Sequence, residues 1–245
     1  MMKKKAIFNW SGGKDSALAL HRVLQQGDYE VGRLLTSINT HHQRISMHGV
    51  REKLLEQQAE SIGIPLQKLQ LSEEPDMDQY NQIMQKMMET FKKEGYRHAI
   101  FGDIFLEDLK KYREDKLNLI GFSGHFPIWQ EDTRTLIRKF LDLGFKTILV
   151  CIKSEVLDKS FAGRIIDEQF LKDLPQNVDP CGENGEFHTF VFDGPIFRHP
   201  ISFDIGEKVY REYKSPEDDK KDDGEEHHKK TMGFWFCDLI PRDKL

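Results

Sequence analysis

Ala6-Ile-Phe-Asn-Trp-Ser-Gly-Gly-Lys-Asp-Ser-Ala-Leu-Ala-Leu20 reads as a short buried strand, a glycine-rich turn and the opening of an apolar helix. That is the layout of a phosphate cradle. Ser11-Gly12-Gly13 leaves the backbone bare where an anion would approach, and the amides of Lys14, Asp15 and Ser16 would be unpaired N–H groups of the first helical turn. A tight strand-to-helix turn can use the same residues with Asp15 or Ser16 merely as a cap, but the strand before and the helix after favour a functional loop. Neither G-x-x-x-x-G-K-[ST] nor G-x-G-x-x-G occurs in the chain, which excludes a Walker loop and a dinucleotide fingerprint. Lys14 and Asp15 are expected at an exposed position on this loop.

Outward from the loop, strands at 5–10, 31–38, 66–71, 98–102 and 145–152 alternate with helices at 15–26, 50–62, 78–94, 106–119 and 131–143. That alternation predicts a parallel sheet with right-handed crossovers. Ser37 and Asp103 fall at the carboxyl ends of the second and fourth strands, where open α/β sheets take their ligands. Met84, Met87 and Met88 share helical spacing with Ile83 and Phe91 and read as gap-filling core rather than a cofactor site. The stretch 121–130 reads as a loop whose Phe122, Phe126 and Trp129 either stack on a base or pack together. Beyond 152 come helical material, Pro175, a polar loop and strand-like runs at 187–192, 202–213 and 231–239, which predict a smaller α+β unit. The expected division is 1–152 for the nucleotide and 153–245 for the substrate.

A chain of 245 residues with 38% hydrophobic content can bury a full core. Its net charge of −5 gives no general attraction for nucleic acid. Residues 215–230 hold seven acidic side chains against four lysines, and 215–229 is expected to be disordered. Cys151, Cys181 and Cys237 form no C-x-x-C, so neither a zinc ribbon nor a redox pair is suggested and a reducing compartment is expected. Lys3-Lys4-Lys5 precedes an apolar run that stops at Ser11, too short for a signal peptide, so a soluble, cytoplasmic protein is expected.

Ser11-Gly-Gly-Lys-Asp-Ser16 resembles the pyrophosphate loop of the N-type ATP pyrophosphatases, which cleave ATP between the α and β phosphates. A second stretch, Val178-Asp-Pro-Cys-Gly-Glu-Asn-Gly-Glu-Phe-His-Thr189, gathers carboxylates, glycines, a histidine and a hydroxyl that can bind a polar substrate or metal and move protons. On spacing alone it also fits a surface turn and hairpin. Combined with the first motif, Gly182-Glu-Asn-Gly-Glu-Phe-His-Thr189 resembles the second signature of the diphthine–ammonia ligase family, and Gly102-Asp103-Ile104 and Pro127-Ile128-Trp129 resemble further motifs of it. The form beginning at Cys181 is similar to that of bacterial single-chain members.

The resemblance implies an α/β fold: a five-stranded parallel, doubly wound sheet of the pyrophosphate-loop type with a smaller C-terminal α+β substrate domain. It also implies a reaction in which ATP adenylates an acceptor carboxylate, pyrophosphate leaves, and ammonia displaces AMP to form an amide. In that scheme Ser11, Gly12, Gly13, Lys14, Asp15, Ser16, Ser37 and Asp103 bind ATP, with Asp15 and Asp103 as Mg²⁺ ligands. Lys14, Asp15, Glu183, Glu186 and His188 form the catalytic set, and Trp129, Cys181, Gly182 and Thr189 contact the acceptor. The implied partners are ATP, ammonium and an elongation factor two-like protein bearing diphthine, with no membrane, tRNA disfavoured and a homodimer left open. Free ammonia is the expected nitrogen source, because a glutaminase with an amino-terminal nucleophile would need Cys where Met2 stands. An ATP-dependent tRNA-modifying enzyme, kept open only by Cys181, and a non-catalytic adenine-nucleotide sensor are the alternatives.

Overall fold

Ala6, Ile7 and Phe8 are all fully buried, and their alternation across one strand sets up the architecture of the chain. The computed structural model describes residues 3–40, 44–45, 49–72, 77–214 and 231–242. The charged run 215–229 lies outside them. β1 (Lys4–Asn9) leads through the glycine loop into α1 (Lys14–Gln26), followed by β2 (Tyr29–Asn39), the two-residue β3 (Arg44–Ile45), α2 (Glu52–Ile62), β4 (Leu66–Leu71), α3 (Met77–Lys93), β5 (His98–Ile100), α4 (Glu107–Leu119) and β6 (Ser123–His125). The parallel strands run in the order β4-β2-β1-β5-β6, with β3 pairing antiparallel to the end of β2. The chain first builds outward from β1 through β2 to β4 and then crosses back to β5 and β6. The switch point therefore lies between β1 and β5, where the loop after β1 and the residues after β5 meet.

Both faces of this sheet are covered. Ala6 and Phe8 pack with Ala17 and Leu20 of α1 and Leu54 and Leu55 of α2, whereas Ile7 packs with Leu35, Leu69, Met88, Phe91 and Leu117. The methionine-bearing helix is thus core, as its spacing predicts. A second, antiparallel sheet in the order β8-β7-β10-β9 uses β7 (Lys146–Lys153), β8 (Phe187–Asp193), β9 (Phe203–Lys214) and β10 (Thr231–Pro241), with α5 (Thr133–Asp142) leading into it and α6 (Glu168–Asp173) between β7 and β8. The two sheets share one apolar core, in which Phe8 and Leu20 join Ile148, Leu149, Ile152, Phe187 and Phe190.

The parallel sheet has five strands, but the fifth is not the one the sequence pattern selects. The apolar run at 145–152 becomes β7 and lies between β8 and β10 of the second sheet, so a boundary at 152 cuts through that sheet. The fifth parallel strand is Ser123–His125, inside the stretch read as a loop. Three residues, two of them Ser and Gly, carry no apolar alternation; edge pairing to β5 makes them a strand. Among the described residues no helix is long and apolar enough to cross a membrane.

Candidate functional site

Trp10 follows β1 with its ring buried, and the chain turns through Gly12 at φ 77, a left-handed conformation in which an added Cβ would stand 2.8 Å from both Gln58 Oε1 and Leu55 Cδ2. Gly13 is the N-cap of α1 and offers no side-chain cap of its own. The hydroxyls fill that role from elsewhere. Ser11 Oγ accepts from the Gly13 N–H at 3.3 Å and donates to Ser16 Oγ at 3.0 Å, and Ser16 Oγ donates to Gly13 O at 2.9 Å. The Lys14 N–H donates to Thr189 Oγ1 at 3.0 Å, so a hydroxyl 175 residues away caps the helix. Gly102 lets β5 approach the same helix end, since a Cβ there would lie 2.9 Å from the Ser16 backbone.

Lys14 is only 4% exposed, not on an open loop. Its Nζ donates to both oxygens of Asp15, at 2.8 and 2.7 Å, and lies 5.8 Å from the Phe187 ring centre. Burial, the largest influence, works against the ammonium, but Asp15, Cys181 and Glu183 together outweigh it and the pKa is raised.

The second motif is tied together by two carboxylates. Asp179 Oδ1 accepts from the Cys181 and Glu183 amides at 2.8 and 3.4 Å, and its Oδ2 accepts from the Thr133 hydroxyl at 2.6 Å. Glu186, buried, accepts at Oε1 from the Asp179 amide and Asn184 Nδ2, both at 3.0 Å, and at Oε2 from the Asn184 amide at 2.8 Å. Gly182 forms the turn between them, donating its N–H to Asp179 O at 2.9 Å. Glu183 is held differently. Its Oε2 is buried with no hydrogen-bond partner among the described residues. Burial, then Asp15, with Asp103 and Asp179, raise its pKa from 4.5 to about 7 against the opposing Lys14. His188, next to Lys14 on β8, is lowered to about 4 by burial and by that ammonium, so its ring is neutral at physiological pH. Burial pushes the Cys181 thiol up to about 12, and Sγ donates to Thr133 O at 3.3 Å.

At the end of β5, Asp103 pairs with Arg113 of α4, whose guanidinium carbon lies 4.5 Å from the Phe101 ring centre. Burial raises the Asp103 pKa; Arg113 opposes it and Asp15 adds to it. Asp15 is therefore close enough to act on both Asp103 and Glu183, and Asp103 on Glu183. Ser37 of β2 hydrogen-bonds the half-buried Tyr80 hydroxyl, which also feels Arg113. Trp129 packs with other elements: Lys110 Nζ is 4.6 Å from its ring centre, and Phe126 bridges it to Phe101 with centroid distances of 5.9 and 5.3 Å. The three aromatics of 121–130 thus pack, with Phe122 in the core.

One cluster brings together Ser11, Gly12, Gly13, Lys14, Asp15, Ser16, Asp103, Glu183 and Thr189; Cys181, Gly182 and Glu186 form the body of the loop beside it. Among the described residues no group of three or more His, Cys, Asp or Glu is arranged to hold a metal ion. Asp15 and Asp103 are the carboxylates at the loop that could supply the one or two protein oxygens a Mg²⁺ site needs, and each is paired with a cation, Lys14 and Arg113. Sequence reasoning missed Arg113, Asp179 and Gln58. A glutamine on the apolar face of α2 was the signal for Gln58; Arg113 lay unmarked in a helix rich in charge.

Comparison with known proteins gives two family models: the diphthamide synthase N-terminal domain matches residues 2–121, and the diphthamide synthase C-terminal domain matches residues 132–221. A Danio rerio protein named diphthine–ammonia ligase is 23% identical over 220 residues, covering 81% of this chain and 86% of its own length. The Mus musculus protein of that name is 22% identical over 223 residues, covering 81% and 82%. A Schizosaccharomyces pombe protein of the same name is 29% identical over 92 residues, which is 36% of this chain and 15% of its own.

Proposed function

The chain belongs to the diphthamide synthase family, and on that premise we propose that it is an ATP-dependent ligase that adenylates an acceptor carboxylate and amidates it with ammonia, releasing pyrophosphate and AMP. The observation that carries this reading is the hydrogen bond from the Lys14 amide to Thr189 Oγ1. It joins the phosphate loop to the second motif, so a nucleotide on one and an acceptor on the other would react at their border.

The carboxylate of the acceptor attacks the α phosphate, the bond to the β phosphate breaks, and pyrophosphate leaves. The Gly13 and Ser16 region, the Lys14 ammonium and the Arg113 guanidinium supply the positive charge that the departing pyrophosphate needs. Mg²⁺, held by Asp15 and Asp103, would neutralise phosphate charge. Ammonia then adds to the acyl carbon and AMP departs. Glu183 is our candidate for taking the proton from ammonium, because a carboxylate poised near pH 7 with one unpartnered oxygen can exchange a proton at physiological pH. Glu186 spends both oxygens on the loop, and we assign it the positioning of Glu183 rather than proton transfer. His188, neutral, would donate or accept a hydrogen bond to the acceptor. Sulfur transfer loses support, since its one candidate, Cys181, is a buried thiol.

We place the nucleotide on the parallel sheet and the acceptor on the second one, with the division ahead of α5 in place of 152. A diphthine-bearing protein is the acceptor class that the relatives' names suggest. The test is pyrophosphate release from ATP with ammonium and a diphthine-containing elongation factor. Release that requires both supports the ligase; ATP binding with no turnover under any acceptor returns the chain to a nucleotide sensor.

A further inference from the structure

The proposed ATP site depends on which way one peptide faces. In the trans peptide between Gly12 and Gly13 the carbonyl and the N–H point in opposite directions, so whatever holds Gly12 O also aims the Gly13 N–H. Gly12 O is held from the protein side. It accepts from the Val191 N–H at 2.9 Å and from Gln58 Nε2 at 3.1 Å. Gln58 is fully buried in α2, and both ends of its amide are engaged: Nε2 also donates to Val191 O at 2.6 Å, and Oε1 accepts from Trp10 Nε1 at 2.9 Å. The indole N–H can only donate, so it fixes which end of the amide is oxygen and turns Nε2 toward the two carbonyls.

The peptide so held lies between two glycines, the one place in the loop where a flip meets little steric resistance. A flipped peptide would present a carbonyl to the pyrophosphate and withdraw a donor from it. We propose that Gln58 is a positioning residue for the nucleotide: oriented by Trp10, it latches the Gly12–Gly13 peptide so that its N–H, which donates to Ser11 Oγ at 3.3 Å, is available to be shared with a phosphate oxygen and, through Val191, locks that setting to the strand that carries His188 and Thr189. The inference rests on reading the loop as the ATP site, and it adds a residue that touches neither ATP nor acceptor.

The experiment compares wild type with Gln58→Met, which keeps the length and removes the hydrogen bonds, by calorimetric titration with inorganic pyrophosphate and with ATP. Loss of a charge-assisted donor and its replacement by a carbonyl should weaken both about tenfold to a hundredfold. The Gly13 amide resonance should move on adding pyrophosphate to wild type and stay still in the variant, which a change in stability alone would not cause. Trp10→Phe, which leaves Gln58 in place but frees its amide to rotate, should weaken pyrophosphate in the same direction by a smaller factor, and it decides the matter where Gln58→Met does not fold. Wild-type affinity and a wild-type Gly13 response in a folded variant overturn the latch. A wild-type protein that binds neither pyrophosphate nor ATP overturns the ATP reading, and the latch with it.

Discussion

Replacing Glu183 by Gln should cost activity and, at alkaline pH, add stability. The folded chain holds this carboxyl near pH 7 while the unfolded chain releases its proton near 4.5. Below about 4.5 both states are protonated and the charge contributes nothing. As pH rises from there to about 7 the folded state keeps a proton that the unfolded state has lost, so stability falls; above about 7 both are ionised and the full penalty stays. At about 1.4 kcal/mol per pH unit the ceiling is about 3 kcal/mol, and because solvent reaches part of the side chain we reduce it to about 1–2 kcal/mol. Urea unfolding of wild type and Glu183→Gln at about pH 5 and about pH 8 measures this as the change in their difference, which cancels any fixed effect of the amide. The variant should gain about 1–2 kcal/mol on wild type between those two pH values, and its amide-forming rate should fall by roughly 10² to 10⁴. A stability difference that does not vary with pH would refute the buried, charge-crowded setting assigned to Glu183. Unchanged turnover would refute its role.

Lys14→Ala should reduce pyrophosphate release by about 10² to 10³ in a single-turnover assay, and it should also destabilise the fold measurably, because the side chain is buried against Asp15. Thr189→Val removes the cap on the Lys14 amide and should cost about 1 kcal/mol in urea unfolding, while Thr189→Ser should recover most of it. Native protein should react with no thiol reagent at about pH 8, since Cys151, Cys181 and Cys237 are all buried, and all three should label once unfolded. Fast labelling of Cys181 in the native state would reopen sulfur chemistry.

The glycine loop, its helix and the run of apolar strands were legible because each obeys a local rule: bare glycines before a helix, apolar residues with period two or 3.6. What escaped was decided by distant partners. Ser123–His125 has no strand pattern of its own and is a strand only because β5 offers an edge. The run that forms β7 looks like any buried strand, and nothing local says which sheet will take it. Lys14 looked exposed because its sequence neighbours are small, yet Phe187 and the second motif close over it. Glu183 and Glu186 are indistinguishable as letters three apart; the loop's own amides give one of them a full set of partners and leave the other short.

The cap supplied by Thr189 has a consequence for how the protein is made. The glycine loop joins the first strand to the first helix, but two of its groups, the Lys14 amide and Gly12 O, wait for Thr189 and Val191 of β8. Closing that span precedes any contact that rewards it, which places the shaping of this loop late in folding. A chain that has not yet docked β8 carries Ser11–Ser16 without a finished cradle, so on the proposed reading nucleotide capture would report that the two sheets have come together.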